Sequence, residues 1–343
     1  MVEIEYVKPH QKLDHFFDLQ KNGWLGSDVA HSIRLNDKKV LWLFGDTFVG
    51  ERKKNCRGNN WAFLNNTIGI MELKNSTPLE MNYHWRENNF HPESFFLSQD
   101  HLPGDFLWPT NGIIIGDALI IFCVAVNKTV DQSIDLAGTV CIKIKNYVDE
   151  PKDWNLVMWD FKFDIGVPHA ALYKDDKYMY TFLTNRNFLK DGIYLGRLKK
   201  LFFKTNDDAS RMKFFNGRSW DEKFSNAQAC FYPSCTESNI YFDKKTKLFF
   251  TTTYRPKDNE ILLTWAEKIT GPWNKPIKIF EIPESNKPFK VHSYAMRIHG
   301  WLSDKNERLI ISYATNEFGG MDNLMTPDGM DVYRPKFVEV KLK

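Results

Sequence analysis

The sequence lacks a long uninterrupted apolar segment. A membrane-spanning helix needs about 20 consecutive apolar residues, whereas the most apolar run, 112–126, carries Asp117 near its middle. The first ten residues also lack the basic-then-apolar order of a secretory signal. We therefore expect a protein without a membrane span that is either cytoplasmic or exported without a recognisable signal peptide, or whose leader was trimmed away.

An excess of either charge is also missing. The 46 basic and 43 acidic residues leave a net charge of +3, which is too balanced to favour a nucleic-acid partner on electrostatic grounds. Short basic runs such as 52–54 are typical of solvated turns. We predict no nucleic-acid partner.

Paired cysteine motifs are absent as well. The five cysteines are odd in number, and no Cys-x-x-Cys spacing of a zinc site occurs. Cys123 and Cys141 lie in apolar runs, where a thiol behaves as a small hydrophobe. A reducing compartment fits this usage best, and the sequence assigns no metal ligands.

Helical periodicity is nearly absent, whereas short runs of β-branched and aromatic residues recur between polar turns. The chain is rich in aromatic residues (15%, with 11 Trp and 27 Phe), so it has ample apolar surface to bury. These features predict a mostly β fold. The length of 343 residues leaves open one large β domain or two smaller domains.

One unit recurs five times along the chain, each with a strand, a polar turn, a very apolar strand, a longer loop and a third strand. The fold we predict is a single-domain, all-β, five-bladed β-propeller. The N-terminal segment would complete its last blade. A β-helix has much shorter rungs, and a pair of β-sandwiches is the other rival. The blades lie at roughly 20–75, 105–148, 165–205, 232–280 and 290–343.

Polar residues concentrate at one end of these units. In an up-and-down blade, the start of the first strand, the end of the second and the start of the third lie at the same face, so their residues should converge. The opposite turns are rich in Lys and Asp and are ordinary solvated hairpins. The converging positions include Asp28, Asp46, Trp108, Asn111, His169, Arg186, Glu237, Tyr254, Arg255, His292 and Arg334.

Three carboxylates in this set indicate acid–base chemistry. Hydrolysis of a glycosidic bond usually needs one protonated and one ionised carboxyl group on either side of the bond. We predict Asp46 or Asp28 as base or nucleophile, the other Asp as a group that tunes its partner, and Glu237 as general acid. The alternative is that these side chains only bond backbone amides at strand ends and loops.

The remaining residues of the set indicate sugar binding. Trp108 and Tyr254 are candidate stacking platforms for sugar rings, and Asn111 is a candidate hydrogen-bonding residue. The guanidinium groups of Arg186, Arg255 and Arg334 would favour an acidic or phosphorylated ligand. Two histidines, His169 and His292, precede first strands and could approach the axis, where an ion or a water could sit, although a structural role is the simpler reading.

Several motifs resemble the family catalogued as domain of unknown function 4185. That family resembles the five-bladed propellers of glycoside hydrolase families 43 and 183, and some members are implied to cleave arabinofuranose-containing polysaccharides. A central Ca²⁺ enters only by this analogy. Family members often have Asp where this chain has Asn111. The matching motifs include Gly45-Asp46-Thr47-Phe48, Leu107-Trp108-Pro109-Thr110-Asn111-Gly112, Thr236-Glu237-Ser238, Thr270-Gly271-Pro272-Trp273 and Val291-His292-Ser293-Tyr294-Ala295.

The sequence therefore predicts a glycoside hydrolase that cleaves a glycan, with an arabinofuranoside as the candidate substrate. Its expected partner is an oligo- or polysaccharide, acidic if the arginines bind it, and no cofactor is required. The oligomeric state is not predicted. One alternative is a non-catalytic propeller that binds glycans or proteins. Another is a phosphorylase, transferase or phosphate-ester hydrolase, which the three arginines favour.

Overall fold

The computed structural model describes residues 2–18, 23–130, 133–163, 166–185, 192–255, 258–306 and 308–343, with backbone alone at 166–171, 185 and 304–306. Strands predominate, so the prediction of a mostly β chain is confirmed. No helix in these ranges is long and apolar enough to cross a membrane.

Five antiparallel sheets of at least four strands follow one another along the chain, and we number them first to fifth. The first consists of His31–Arg34, Lys39–Phe44, Thr67–Lys74 and Thr77–His84. The second consists of Phe106–Ile115, Ala118–Asn127, Asp135–Ile144 and Leu156–Asp160. The third consists of Gly166–Lys174, Tyr178–Asn185, Ile193–Lys199, Lys213–Phe215, Trp220–Asp221 and Ala229–Phe231. The fourth consists of Tyr241–Asp243, Leu248–Thr253, Glu260–Ala266 and Ile277–Glu281.

The fifth sheet joins the two ends of the chain. Its inner strands are Val291–Ile298, Arg308–Glu317 and Lys336–Leu342, and the N-terminal strand Ile4–Pro9 pairs antiparallel with the last of these. Backbone hydrogen bonds therefore hold the N-terminal segment on the outer edge of the sheet that contains the C-terminal strand.

A smaller three-stranded sheet lies beside the first sheet and consists of Trp24–Ser27, Thr47–Lys53 and Cys56–Leu64. The longer loop predicted between the second and third strands of the first unit therefore contains two strands. The sequence pattern does not indicate these strands, because the segment is polar and its apolar residues do not alternate regularly with polar ones. One further hairpin pairs Arg86–Asn88 with His91–Glu93.

Helices are short in the described ranges. The two α-helices are Gln11–Asp14 and Gly300–Asn306. The 3₁₀ turns are His15–Phe17, Pro151–Asp153, Lys200–Phe203, Ala209–Arg211, Phe224–Asn226, Pro283–Asn286, Asp322–Met325 and Pro327–Gly329.

Apolar clusters connect the five sheets. One apolar cluster joins the first and second sheets, a second joins the second and third, and a third spans the third, fourth and fifth. A fourth cluster joins the first and fifth sheets and includes Val40 and Trp42 of the first and Ile310 and Phe337 of the fifth. Each sheet therefore buries its faces against its neighbours.

This packing explains the continuous apolar runs in the second strands. In Lys39–Phe44, Leu41 and Leu43 face the cluster shared with the second sheet, whereas Val40, Trp42 and Phe44 face the cluster shared with the fifth. A strand with a sheet on each side needs apolar residues at every position, because successive side chains point to opposite faces.

Candidate functional site

Asp28 and Asp46 lie where the chain passes between the small three-stranded sheet and the first sheet. Asp28 follows the strand Trp24–Ser27, and Asp46 follows Lys39–Phe44. The backbone N–H of Asp28 donates to the carbonyl of Asp46 (3.1 Å), and the N–H of Gly45 donates to the carbonyl of Asp28 (3.3 Å). These two hydrogen bonds hold the aspartates side by side.

Gly45 is required here because of a close approach. A Cβ atom added at this position would lie 2.3 Å from Oδ1 of Asp28, far inside van der Waals contact. The backbone of Gly45 is not in the left-handed region, so the restriction comes from the neighbouring carboxylate alone.

Replacing Gly45 with Ala is therefore expected to displace the Asp28 carboxylate and to lower kcat by roughly ten- to a hundredfold, since a shift of about 1 Å at reacting groups can cost that much. Steady-state kinetics on a cleaved substrate would measure it. Gly320→Ala is the matched control, because a Cβ there meets nothing within 4 Å. Equal activity of the two variants would contradict a role for the Asp28 position.

Burial raises the pKa of both aspartates. The pKa of Asp28 is well above its usual value because of burial, with further contributions from the charges of Asp46 and Glu237. Burial raises the pKa of Asp46 to about 7, although hydrogen bonds from Trp108 and Asn65 oppose the shift. Asp46 therefore titrates near neutral pH and burial favours the protonated form of Asp28, which is the pattern of carboxyl groups prepared for proton transfer.

The raised pKa of Asp46 predicts a stability effect. The folded state binds more protons than the unfolded state between pH 4 and 7, so this group lowers the free energy of unfolding as pH rises through that window. Asp46→Asn should therefore unfold at a higher temperature than the wild type at pH 8, with the difference vanishing below pH 4. At about 1.4 kcal/mol per pKa unit, the gain is a few kcal/mol.

Thermal unfolding followed across pH 3.5–8.5 would measure this difference. Asp221→Asn is the control, because Asp221 is only half-buried and the backbone N–H of Lys223 lowers its pKa. That variant should show no gain at pH 8. A constant difference between Asp46→Asn and the wild type across the whole range would show that Asp46 does not titrate in this way.

Trp108 holds the Asp46 carboxylate. Its indole Nε1–H donates to Oδ1 of Asp46 (2.7 Å), and its ring is half-buried. The predicted stacking platform is thus also a positioning residue, because its N–H determines where this carboxylate lies.

Glu237 is anchored from one side. The hydroxyl groups of Tyr254 (2.6 Å) and Thr236 both donate to its Oε2, and these two hydroxyl oxygens lie 2.6 Å apart. The described contacts of Glu237 fall on Oε2, so Oε1 is the oxygen available for chemistry. Tyr254 is 1% exposed, so its prediction as a stacking platform is corrected: it positions Glu237.

Tyr294 links the three carboxylates. It hydrogen-bonds Asp28, and its pKa is raised by burial and then by the charges of Asp28, Glu237 and Asp46. All three carboxylates therefore lie close enough to this one phenol group to raise its pKa. The structure brings the predicted acidic trio together around a residue that was not predicted.

Two further predicted residues lie near this cluster. Asn111 is 2% exposed and its Oδ1 accepts the backbone N–H of Gly112 (2.7 Å), so it is buried beneath the surface rather than presented to a sugar. His292 is half-buried, and its ring stacks on Tyr294 at 5.4 Å. His292 thus borders the cluster.

The predicted arginine cluster is not formed by the described residues. Arg255 is exposed and lies 3.7 Å from Asp258. The side chain of Arg334 is 12% exposed and forms salt bridges with Asp18 and Asp331, which balance its charge. Arg186 lies outside the described residues, and the side chain of His169 is not described.

Four residues of the cluster were missed from sequence: Thr236, Asn65, Tyr294 and Arg297. Thr236 and Tyr294 belong to motifs that were recognised, yet no strand-end rule selects them. Tyr294 precedes Ala295, whose φ of 54° interrupts the strand pairing and changes which side chains face the cluster. A local irregularity of this kind has no clear signal in the sequence.

A calcium ion does not fit the described side chains. No group of three or more His, Cys, Asp or Glu residues in the described ranges is arranged to hold a metal ion. Ca²⁺ prefers several oxygen ligands, whereas the carboxylate of Glu237 is near enough to the buried guanidinium group of Arg297 to act on its pKa.

One large cleft in the described part of the chain lies away from the carboxylates. Its volume is about 710 Å³, and it lies between the fourth sheet and the paired chain ends, where Trp265, Trp273 and Lys343 line it. Trp273 packs against Phe182 and Phe231, so much of this lining is core packing.

Comparisons with known proteins agree with the fold. The model of the family named domain of unknown function 5005 matches residues 10–342. The resemblance to family 4185 is therefore corrected, because the matching family is a different one. No curated protein sequence matches the chain.

Three solved structures are similar to the chain. A candidate hydrolase from Bacteroides ovatus has a TM-score of 0.78 at 19% identity, over 97% of this chain and 90% of that one. RS223 β-xylosidase has a TM-score of 0.54 at 9% identity, over 98% and 94% of the two chains. A family 43 β-xylosidase/α-arabinofuranosidase from a compost metagenome, solved with xylotriose in a calcium-free form, has a TM-score of 0.51 at 12% identity, over 100% and 94%. At these identities, the comparisons show a shared fold.

Proposed function

The chain belongs to the family named domain of unknown function 5005, and from its carboxylate cluster we propose that it is a glycoside hydrolase. The observation that carries this proposal is the grouping of Asp28, Asp46 and Glu237 around Tyr294, with two of the three carboxyl groups shifted toward neutral pKa values. Paired carboxyl groups with different proton affinities are what glycosidic cleavage requires.

We propose that the five sheets are the blades of one five-bladed propeller, at roughly 20–75, 105–148, 165–205, 232–280 and 290–343. The cyclic order of the shared apolar clusters supports this arrangement. The fold shared with two β-xylosidases supports it further. In such a ring, the site residues lie at one end of the central axis.

Each carboxylate has a distinct role in the proposed reaction. Asp46, held by Trp108, loses its proton and acts as base or nucleophile at the sugar carbon. Glu237, anchored through Oε2, protonates the leaving oxygen from Oε1. Asp28 keeps its proton beside Asp46, so the pair avoids the repulsion of two buried charges.

The proposed substrate is a glycan with a furanose or pentose residue at the cleaved bond. Support comes from the two pentosidases of similar fold, one described as a β-xylosidase and the other as a β-xylosidase/α-arabinofuranosidase. An acidic substrate has less support, because Arg334 is paired with aspartates and Arg255 lies exposed beside Asp258.

A panel of aryl pentosides and arabinofuranose- or xylose-containing oligosaccharides tests the proposal. Release of a reducing sugar in buffer without phosphate or divalent metal ions is the expected result. Binding of a glycan without cleavage would instead identify a non-catalytic propeller. Cleavage that requires phosphate would identify a phosphorylase.

A further inference from the structure

Arg297 is buried and forms no hydrogen bond or salt bridge with a described residue. It lies in the strand Val291–Ile298, is 0% exposed, and its Nε, Nη1 and Nη2 atoms have no hydrogen-bond partner in the described part of the chain. A guanidinium group carries five N–H donors. Burying these donors unpaired costs far more free energy than a folded protein usually tolerates at one residue.

Arg57 shows how this chain satisfies a buried guanidinium. It is also 0% exposed, but its nitrogens donate to four backbone carbonyls, those of Leu25 (2.7 Å), Leu324 (2.6 Å), Gly329 (3.0 Å) and Val332 (2.7 Å). The contrast indicates that the N–H donors of Arg297 bind a ligand rather than a group of the protein.

His299 adds another donor beside Arg297. The hydroxyl oxygen of Ser32 accepts the indole N–H of Trp301 (2.9 Å) and lies 2.7 Å from Nδ1 of His299. The hydroxyl can donate to Nδ1 or accept from it, and donation to Nδ1 is the arrangement that places the imidazole hydrogen on Nε2. This buried Nε2 has no partner among the described residues.

Asn111 and Ser312 add two further unpaired polar groups to the surroundings of Arg297. Asn111 hydrogen-bonds His31, a residue on which the charge of Arg297 acts directly, and its buried Nδ2 is unpaired within the described residues. Ser312 lies directly opposite Arg297 in the fifth sheet, so the two side chains share a face. The hydroxyl of Ser312 is likewise buried and unpaired in that part of the chain.

The net charge of this group is positive. Burial lowers the pKa of Arg297 only to about 10, so it is protonated at neutral pH. Burial, followed by the charge of Arg297, lowers the pKa of His299 to about 3, and the pKa of His31 is lowered for the same reasons, so both rings are neutral. The charge of Glu237 raises the pKa of Arg297, but the hydrogen bonds described for Glu237 are those it accepts from Tyr254 and Thr236.

We propose that Arg297, His299, Asn111 and Ser312 bind a small monovalent anion of the size of chloride, buried behind the carboxylate cluster. The guanidinium nitrogens of Arg297 and Nδ2 of Asn111 are donors, so the ligand must be an acceptor. The guanidinium forms no salt bridge with a described carboxylate, so a single negative charge suits it. Its positive charge disfavours a cation in this place.

Halide titration of the full chain tests the proposal. The unfolding temperature should rise steadily with the concentration of sodium chloride or bromide, relative to sodium gluconate at the same ionic strength, because a ligand that binds only the folded state stabilises it by RT ln(1 + [L]/Kd). Arg297→Met should abolish the halide-specific rise, and Ser312→Ala should weaken it. Ser303→Ala is the matched control, because this buried serine already bonds the carbonyl of His299 (2.9 Å) and should keep the full rise.

Crystals of the wild type grown in bromide give a second measurement that does not depend on the variants. An anomalous peak within hydrogen-bonding distance of the Arg297 guanidinium is the expected result. Ordered water there, together with equal unfolding temperatures in halide and gluconate, would overturn the proposal. If Arg297→Met fails to fold, the bromide peak decides. Neither outcome depends on glycosidase activity, so this site and the proposed function can fail separately.

Discussion

Replacing Asp46 with Asn is expected to lower kcat on any cleaved glycoside by about 10²–10⁴-fold, the usual contribution of a positioned acid–base group. The amide cannot accept a proton or attack the sugar carbon, yet its oxygen can still accept the indole N–H of Trp108. Substrate binding and the fold should therefore persist. Steady-state kinetics, with ligand affinity measured in parallel, would establish both parts of the expectation.

The control for this variant is Asp117→Asn. Asp117 lies in the turn between the first two strands of the second sheet, with its side chain 84% exposed and only a 4.0 Å contact to Lys145. Its replacement should leave kcat and KM unchanged. Wild-type turnover by Asp46→Asn would remove Asp46 from the chemistry and leave the cluster without its proposed base.

Replacing Glu237 with Gln is the second large effect. If Glu237 is the general acid, the loss should depend on the leaving group: about 10²–10⁴-fold for natural glycans, but little for aryl glycosides whose phenolate departs without a proton. The amide keeps an oxygen that can accept from Tyr254 and Thr236, so the local geometry should survive. Comparing kcat/KM over a series of aryl leaving groups measures this dependence.

A uniform loss across the leaving-group series would reject this assignment and give Glu237 the role of base or nucleophile. Tyr254→Phe separates positioning from chemistry, because it removes one donor to Oε2 and leaves the carboxyl group in place. It should cause a smaller loss than Glu237→Gln and should shift the pH profile, which a merely structural residue would not do.

Much of the fold could be predicted because its strands carry a local signal. The run Val40 to Phe44 is apolar at every position, which indicates a strand covered on both faces, and the structure covers it with the second and fifth sheets. The strands of 47–64 were missed for the opposite reason. They form a small sheet of mixed burial, so their side chains show no apolar period.

The acidic trio could be proposed from the predicted strand ends, since the sequence pattern places Asp46 just after one apolar strand, Asp28 just before its neighbour and Glu237 just before a strand of the fourth unit. The contacts of those residues could not be proposed. Trp108 and Tyr254 were both interpreted as sugar platforms, but the structure uses their polar atoms to hold Asp46 and Glu237. A side chain with an apolar body and one polar atom fits either role until its partner is known.

By itself, the sequence determined the mostly β character of the chain, the order of its repeated strands and the presence of carboxylates at strand ends, because these depend on residue type and local spacing. The tertiary structure alone decided which buried charges are paired. Arg334 is matched by aspartates distant in sequence, Arg57 by four carbonyls, and Arg297 by no described residue. Charge pairing and pKa values depend on burial and on distances between separate strands, which only the folded chain defines.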